Sequence, residues 1–340
     1  MRALITGGAG FIGTNACLHF ARQGWEICAL DNLSRRGTDT NLEWLRAQIP
    51  VTLVQADVRD AAAVDKAVAD FRPDLVLHLA GQVAVTTSVK DPREDFEINA
   101  AGTFNVLDAV RRHAPLAFFI NASTNKVYGK LEHLGVVERS GRYEYANHPF
   151  GVAESERLDF HSPYGCSKGV ADQYTIDYAR IYGLKTVTFR QSCIYGQRQL
   201  GIEDQGWVAW FAIAATLGKP LSIYGNGKQI RDVLDVRDLV RAYEAAYHHK
   251  DVVAGRAYNI GGGPEQTLSL LELLAHLEEQ TGKRIQPAFA DWRPGDQPVF
   301  VCDVRAARKD FGWEPGIKVK QGVADLIDWV SRNRELFNWM

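Results

Sequence analysis

Thr6-Gly7-Gly8-Ala9-Gly10-Phe11-Ile12-Gly13 sets the architecture of this chain. It follows a short apolar run at residues 2–6 and leads into an amphipathic pattern that continues to about Arg22. Strand, glycine turn and helix in that order open a nucleotide-binding α/β unit. The glycines fall at 7, 10 and 13, a G-x-x-G-x-x-G spacing and not G-x-G-x-x-G. The physical demand is similar. The chain must turn tightly, a pyrophosphate must approach bare backbone, and the helix must pack against the strand. Amides at the helix N-terminus, around Phe11 and Ile12, then face the phosphates, helped by the helix dipole.

Downstream, the apolar run 26–30 reads as a second strand ending at Asp31. This is close to the roughly 20-residue spacing at which an acidic side chain accepts hydrogen bonds from the adenosine ribose. A carboxylate there repels a 2′-phosphate and favours NAD over NADP. Arg35 and Arg36 offer the opposite reading, since guanidinium groups could pair with such a phosphate; otherwise they belong to a solvated loop. Asn32, Ser34 and Arg35 are placed on the cofactor side with Asp31. Residues 51–55 read as a third strand leading to Asp57 and Val58, where Asp57 either meets the adenine amino group or caps a helix. Residues 75–79 form a fourth strand, followed by Ala80-Gly81-Gln82, whose small residues let a dinucleotide lie against the strand end. Residues 94–113 read as one long helix containing Asn99, and 116–120 as a fifth strand. The alternation predicts a Rossmann-like, doubly wound parallel sheet covered on both faces.

Two further runs place the chemistry. Ser123-Thr124-Asn125-Lys126-Val127-Tyr128-Gly129 follows the fifth strand, so Thr124 is expected just past its C-terminal end. Ser162-Pro163-Tyr164-Gly165-Cys166-Ser167-Lys168 opens a helix over about 164–182, putting Tyr164 and Lys168 on one face. An unperturbed Tyr ionises near pH 10, and reaching about 7 requires roughly 4 kcal/mol of differential stabilisation. A Lys ammonium and a positive nicotinamide have the required sign. The phenolate then takes a proton from a substrate hydroxyl that Thr124 holds. The competing reading is a helix with a core Tyr and a surface Lys. Between the two runs, residues 130–161 are polar and aromatic, with little apolar periodicity. They are expected to be a long active-site loop or lid. Residues 185–190 make a sixth strand.

From about 191 the alternation becomes irregular. A helix opens at 205–211, a strand-turn surrounds 224–227, helices cover 236–248 and 268–281, and Trp292-Arg293-Pro294-Gly295 precedes a terminal helical segment. The predicted division is a dinucleotide-binding domain at 1–190 and a smaller mixed α/β cap at 191–340, with segments returning to the large domain and a substrate cleft between the two.

The glycine motif, Asp31, Leu79-Ala80-Gly81, Asn99, Tyr164/Lys168 and Arg231-Asp232 together resemble the extended short-chain dehydrogenase/reductases that act on nucleotide-linked sugars. The resemblance spans almost the whole chain. It implies a tightly held NAD bound by Gly7, Gly10, Phe11, Ile12, Gly13, Asp31, Asn32, Ser34, Arg35, Asp57, Val58, Leu79, Ala80, Gly81, Gln82, Asn99, Tyr164 and Lys168. It implies Tyr164 as base, Lys168 as the residue that lowers its pKa and binds ribose, and Thr124 as the hydroxyl partner. Thr124, Asn125, Gln191, Gln205, Gly206, Trp207, Tyr224, Arg231 and Arg293 are placed on the substrate side. Arg231 and Arg293 would hold a diphosphate, and their alternative is surface ion pairing. Sugar 4,6-dehydratases carry Thr-Asp-Glu where this chain has Thr124-Asn125-Lys126, so elimination would lack its acid and base. The longer matches, including Asp204-Gln205-Gly206-Trp207 and Gly225-Asn226-Gly227-Lys228-Gln229, resemble the nucleotide-sugar 2-epimerases. They imply inversion at C2 of a CDP-linked hexose through a transient 2-keto sugar. A 4-epimerase or net oxidoreductase on the same scaffold, and a non-catalytic NAD sensor, are the alternatives. The resemblance also implies a homodimer or homotetramer.

The bulk numbers fit. The chain has 340 residues, 46% hydrophobic and 24% charged, with 39 Lys plus Arg against 41 Asp plus Glu. A net charge of -2 points to neither nucleic acid nor a membrane surface. The five cysteines show no metal-ligand spacing and read as reduced thiols. The first residues run straight into the glycine turn without a signal-like apolar segment, and no run reaches membrane-spanning length. A cytoplasmic location and no metal are therefore expected.

Overall fold

The computed structural model describes residues 1–292 and 296–339. Its strands in chain order are β1 (Arg2–Thr6), β2 (Glu26–Asp31), β3 (Thr52–Gln55), β4 (Leu75–His78), β5 (Phe118–Thr124), β6 (Val136–Arg139), β7 (Arg142–Tyr145) and β8 (Lys185–Gln191). They continue with β9 (Cys193–Tyr195), β10 (Ser222–Tyr224), β11 (Ile230–Asp235), β12 (Arg256–Ile260), β13 (Thr267–Ser269), β14 (Ala288–Ala290) and β15 (Val299–Phe300).

Seven of these form one parallel sheet in the order β12-β8-β5-β4-β1-β2-β3. Alternate side chains of each strand point to opposite faces. Ala3, Ile5, Leu75, Leu77, Phe118 and Ile120 pack into one core with the helices Phe11–Arg22 and Val236–His248. Leu4, Val76 and Phe119 pack into the other, against the helices Ala61–Phe71 and Gly102–His113. With both faces buried, apolar runs form the strands instead of alternating patterns.

The remaining strands build the second region. β11 pairs with β9 and β15 in parallel and with β13 antiparallel. The helices Trp207–Leu217, Leu270–Thr281 and Val319–Arg332 close its core.

Several sequence expectations change. The fifth strand runs from Phe118 through Thr124, because its register with β8 continues to Thr124↔Gln191. Thr124 is thus the last residue of the strand and does not lie past its end. The long helix at 94–113 is interrupted by a π-helical turn, Glu97–Ala101. Residues 130–161 contain the antiparallel hairpin β6–β7, turned by Ser140 and Gly141 at φ 52° and 81°. Tyr143 N donates to Lys228 O at 3.1 Å, and the Tyr145 hydroxyl donates to Val299 O at 3.0 Å. The segment is thereby pinned to the second region and lines neither cavity described below. Around 224–227, β10 does not fold back on β11; it pairs in parallel with β14. The seventh strand, β12, comes from residues 256–260 and returns to the large sheet.

Candidate active site

The C-terminal ends of β1, β2, β4, β5 and β8 open onto two cavities of about 230 and 460 Å³. Phe11, Ile12, Leu79, Val83, Gln199 and Gln205 line both, so the two are continuous.

The smaller cavity starts at the glycine turn. Gly7 sits at φ 68°, and a Cβ there would lie 2.8 Å from Ala80 N. A Cβ on Gly13 would lie 2.1 Å from Gly7 O. The helix Phe11–Arg22 therefore abuts the turn, and its N-terminus carries no side-chain cap and no acidic residue in its first turn. Its first amides are left to an anion. Asp31, 7% exposed, accepts from Ala9 N at 3.0 Å and Leu33 N at 2.9 Å, so the same carboxylate also pins the turn. Burial pushes its pKa up and these backbone bonds push it down. Asp57 is held low, at about 2, chiefly by its hydrogen bond from Arg59, and it also accepts from Asn32 Nδ2 at 2.8 Å. The Arg36 guanidinium lies over the Trp339 ring, 4.5 Å from its centroid.

Behind this wall lies a polar brace. His78 is buried between the hydroxyls of Thr6 (2.8 Å) and Thr103 (2.9 Å). Thr103 donates to Asn99 O, so it accepts from His78 Nε2–H. Thr6 already accepts from Leu79 N and Ala80 N, so it donates to Nδ1. The network fixes one neutral tautomer. Asn99, in the π turn, accepts from Gln82 N at 3.0 Å, and its amide meets Gln82 O, Asp95 and Ser167. The Ser167 hydroxyl donates to Asp95. Gln82 and Asn99 thus stand behind the cofactor cavity, whereas Gly7, Gly10, Phe11, Ile12, Gly13, Asp31, Asn32, Ser34, Arg35, Asp57, Val58, Leu79, Ala80 and Gly81 line it.

The larger cavity brings together Thr124, Asn125, Tyr164, Lys168, Gln191, Gln205, Gly206, Trp207, Tyr224 and Arg231. Tyr164 and Lys168 are 7% and 5% exposed. Lys168 reaches the junction of the cavities, since a Cβ on Gly81 would lie 3.7 Å from its Nζ. Burial pushes the Tyr164 phenol up to about 12, against a lowering hydrogen bond with Thr124. Burial pushes Lys168 down to about 8, against Asp95 and Asp172, which raise it. The helix Ser162–Tyr182 carrying this pair is fixed by Asp172, fully buried, which accepts from Ser123 at 2.8 Å and forms a buried ion pair with Arg190 at 3.0 Å.

Gln191 donates to the Tyr243 hydroxyl at 2.8 Å. The Tyr224 hydroxyl donates to Glu203 at 3.0 Å. Arg231 pairs with Asp296 at 2.5 Å at the cavity wall, so it combines the ion-pair and ligand-facing readings. Arg293 lies outside the described residues.

Sequence reasoning missed Lys126, Cys193, Gln199, Gln229 and Asp296 in the larger cavity and Arg198 in the smaller one. Gln229 was within reach of the strand period, being two residues before Arg231. Among the described residues no cluster of His, Cys, Asp or Glu could hold a metal ion, and all five cysteines are free thiols. The glycine turn, the open helix N-terminus and the ribose-side carboxylate fit a dinucleotide.

The family model described as GDP-mannose 4,6 dehydratase matches residues 4–326. The chain is 45% identical over 336 residues to CDP-paratose 2-epimerase of Salmonella typhi, covering 97% of this chain and 99% of that protein. Among solved structures, UDP-glucose 4-epimerase of Thermotoga maritima with UDP-glucose superposes with a TM-score of 0.86 at 29% identity, covering 98% and 100% of the two chains. UDP-glucuronic acid 4-epimerase of Bacillus cereus, in complex with UDP-glucuronic acid and NAD, gives a TM-score of 0.83 at 26% identity, covering 98% and 99%.

Proposed function

Because the chain belongs to the GDP-mannose 4,6-dehydratase family of extended short-chain dehydrogenase/reductases and is an NAD-dependent nucleotide-sugar epimerase, we propose that it inverts C2 of a CDP-linked hexose through a transient 2-keto sugar. The observation that carries this is that Thr124, Tyr164 and Lys168, all three buried, line one cavity, with an amide and an ammonium, not carboxylates, following Thr124. Thr124 and Tyr164 can hold a carbinol and take and return its hydroxyl proton, but the site lacks the acid and base of water elimination. CDP and C2 come from the likeness to CDP-paratose 2-epimerase, and C4 inversion is the second reading, favoured by the 4-epimerase structures.

The glycine turn, Asp31, Asp57 and Lys168 would hold NAD, which would supply the acceptor and donor of the C2 hydride. Thr124 holds the C2 hydroxyl, and Tyr164 removes its proton as the C–H bond breaks, leaving a ketone. Lys168 holds the ribose and keeps a positive charge beside the phenolate. Arg231 holds the diphosphate, so the sugar turns about a fixed anchor and presents its other face. Tyr164 then returns the proton to the oxygen. A substrate deuterated at C2 should give product with the label still at C2, even with unlabelled NAD in solution. Label washed out to solvent, or inversion at C4 with C2 untouched, would overturn this reading.

We also read residues 191–340 mainly as the substrate cap and the protein as a cytoplasmic homo-oligomer. Phe96, Phe104, Tyr174 and Ile181 are 43–61% exposed on neighbouring helices and suit a second copy. Phe104→Glu should shift the particle to monomer in light scattering.

A further inference from the structure

One side chain of the larger cavity has no part in the chemistry above. Lys126 stands two residues beyond Thr124, in the 3-10 turn Asn125–Tyr128, and its backbone N–H donates to Thr124 Oγ1 at 3.3 Å. Its side chain is half-buried and lines the cavity together with Arg231 and Asp296. The groups that face it are the Arg231 guanidinium, the Asp296 carboxylate and the Cys193 thiol. Burial and Arg231 both push its pKa down. Among the described residues its ammonium makes no hydrogen bond or ion pair. A half-buried ammonium without a protein partner, open to the cavity, is placed to meet the counter-charge of a ligand.

Arg231 is differently placed. Its guanidinium already pairs with Asp296 and donates to Ile230 O at 2.7 Å, so that pair offers a diphosphate no net charge. Lys126 does. Its backbone is fixed beside the hydroxyl that grips the reacting carbon, and its charge is coupled to the guanidinium assigned to the diphosphate. In a sugar nucleotide gripped at C2, only C1 and its ester oxygen separate those two points. We propose that Lys126 is the second cation of the diphosphate clamp, holding the phosphate next to C1 while the 2-keto sugar turns. This rests on the diphosphate-linked substrate argued above.

The test is calorimetric titration of the purified holoenzyme with CDP and, separately, with cytidine. Lys126→Met should weaken CDP by about 10-fold or more, the scale of a lost charge-assisted hydrogen bond, while cytidine binds unchanged. It should also reduce the salt dependence of CDP binding, and Lys126→Arg should restore most of the affinity. Equal CDP affinity in wild type and Lys126→Met overturns the proposal, and so does a parallel loss of CDP and cytidine, which would mean a deformed pocket. A fall in turnover with CDP binding intact also overturns it and moves Lys126 to the sugar. If Lys126→Met does not fold, Lys126→Gln takes its place under the same criteria. Wild-type protein that binds neither CDP nor UDP overturns the nucleotide-sugar reading itself, and the clamp with it.

Discussion

Tyr164 and Lys168 stand where burial opposes the charged form of each: the phenol is pushed up to about 12 and the ammonium down to about 8. At neutral pH the pair is a protonated phenol beside a mostly charged amine. A proton leaves the phenol readily only when positive charge is gathered around it, so Lys168 and the cofactor must act together. Tyr164→Phe should therefore fold and keep its NAD but lose about 100-fold or more in turnover, the scale of general acid–base assistance. Near-normal turnover would assign the base elsewhere. Lys168→Met should lower turnover and cofactor retention together, because one ammonium serves both; retention measured after desalting separates this from a purely catalytic loss. The sequence places both residues by the helical period alone. It could not show that Thr124 is buried with them in one cavity, because that depends on β5 continuing to Thr124 and on the burial of all three side chains.

At the scale of elements, the ends of β1 and β4 and the π turn at Glu97–Ala101 are joined through His78. π turns recur at functional sites because they swing one side chain out of helical register, and here Asn99 is the one turned toward Gln82. The helical pattern of 94–113 hides this, since a π turn adds a residue without altering composition. The brace also sets an acid limit. His78 is held down to about 3 from 6.5, chiefly by burial. Between those values the unfolded chain binds a proton that the folded chain refuses, so stability is full above about pH 6.5 and falls as the pH drops toward 3. The loss over that window is about 5 kcal/mol from this group. His78→Gln should flatten the pH dependence of Tm between 6.5 and 3. An unchanged slope would assign the acid limit to other groups. The hairpin β6–β7 was similarly illegible. Its four-residue strands are half-exposed and polar, and only Ser140-Gly141 marks the turn.

Across the whole molecule, what could be read depended on burial on both faces. β1, β2 and β4 appear as apolar runs and were legible, and β8 was legible by its β-branched and aromatic residues, Thr186-Val187-Thr188-Phe189. β12 begins with Arg256 and carries Asn259 as its fourth residue, fully buried and bonded to Tyr128 and Val152 O, so its return to the large sheet left no apolar run. The same crossing between halves roofs the dinucleotide cavity. Arg198, at φ 70° and 7% exposed, lies 3.8 Å from the centroid of Trp44 and 5.7 Å from that of Trp329, so one guanidinium joins the two regions. Its carbonyl accepts from Asn41 Nδ2 at 3.2 Å. Leu200 closes on Gly37, where an added Cβ would meet it at 2.6 Å. These residues narrow the mouth of the cavity, and a hydride that returns to its own substrate gives no reason for exchange. The purified protein should carry NAD(H) through desalting, read from the supernatant after denaturation. Arg198→Ala removes a desolvated cation–π contact of about 2 kcal/mol, so retention should weaken by roughly 10- to 30-fold. Arg198→Lys keeps the charge without the planar stack and should fall between the two. If Arg198→Ala holds NAD(H) as firmly as wild type, the glycine turn and Asp31 retain the cofactor without help from the second half of the chain.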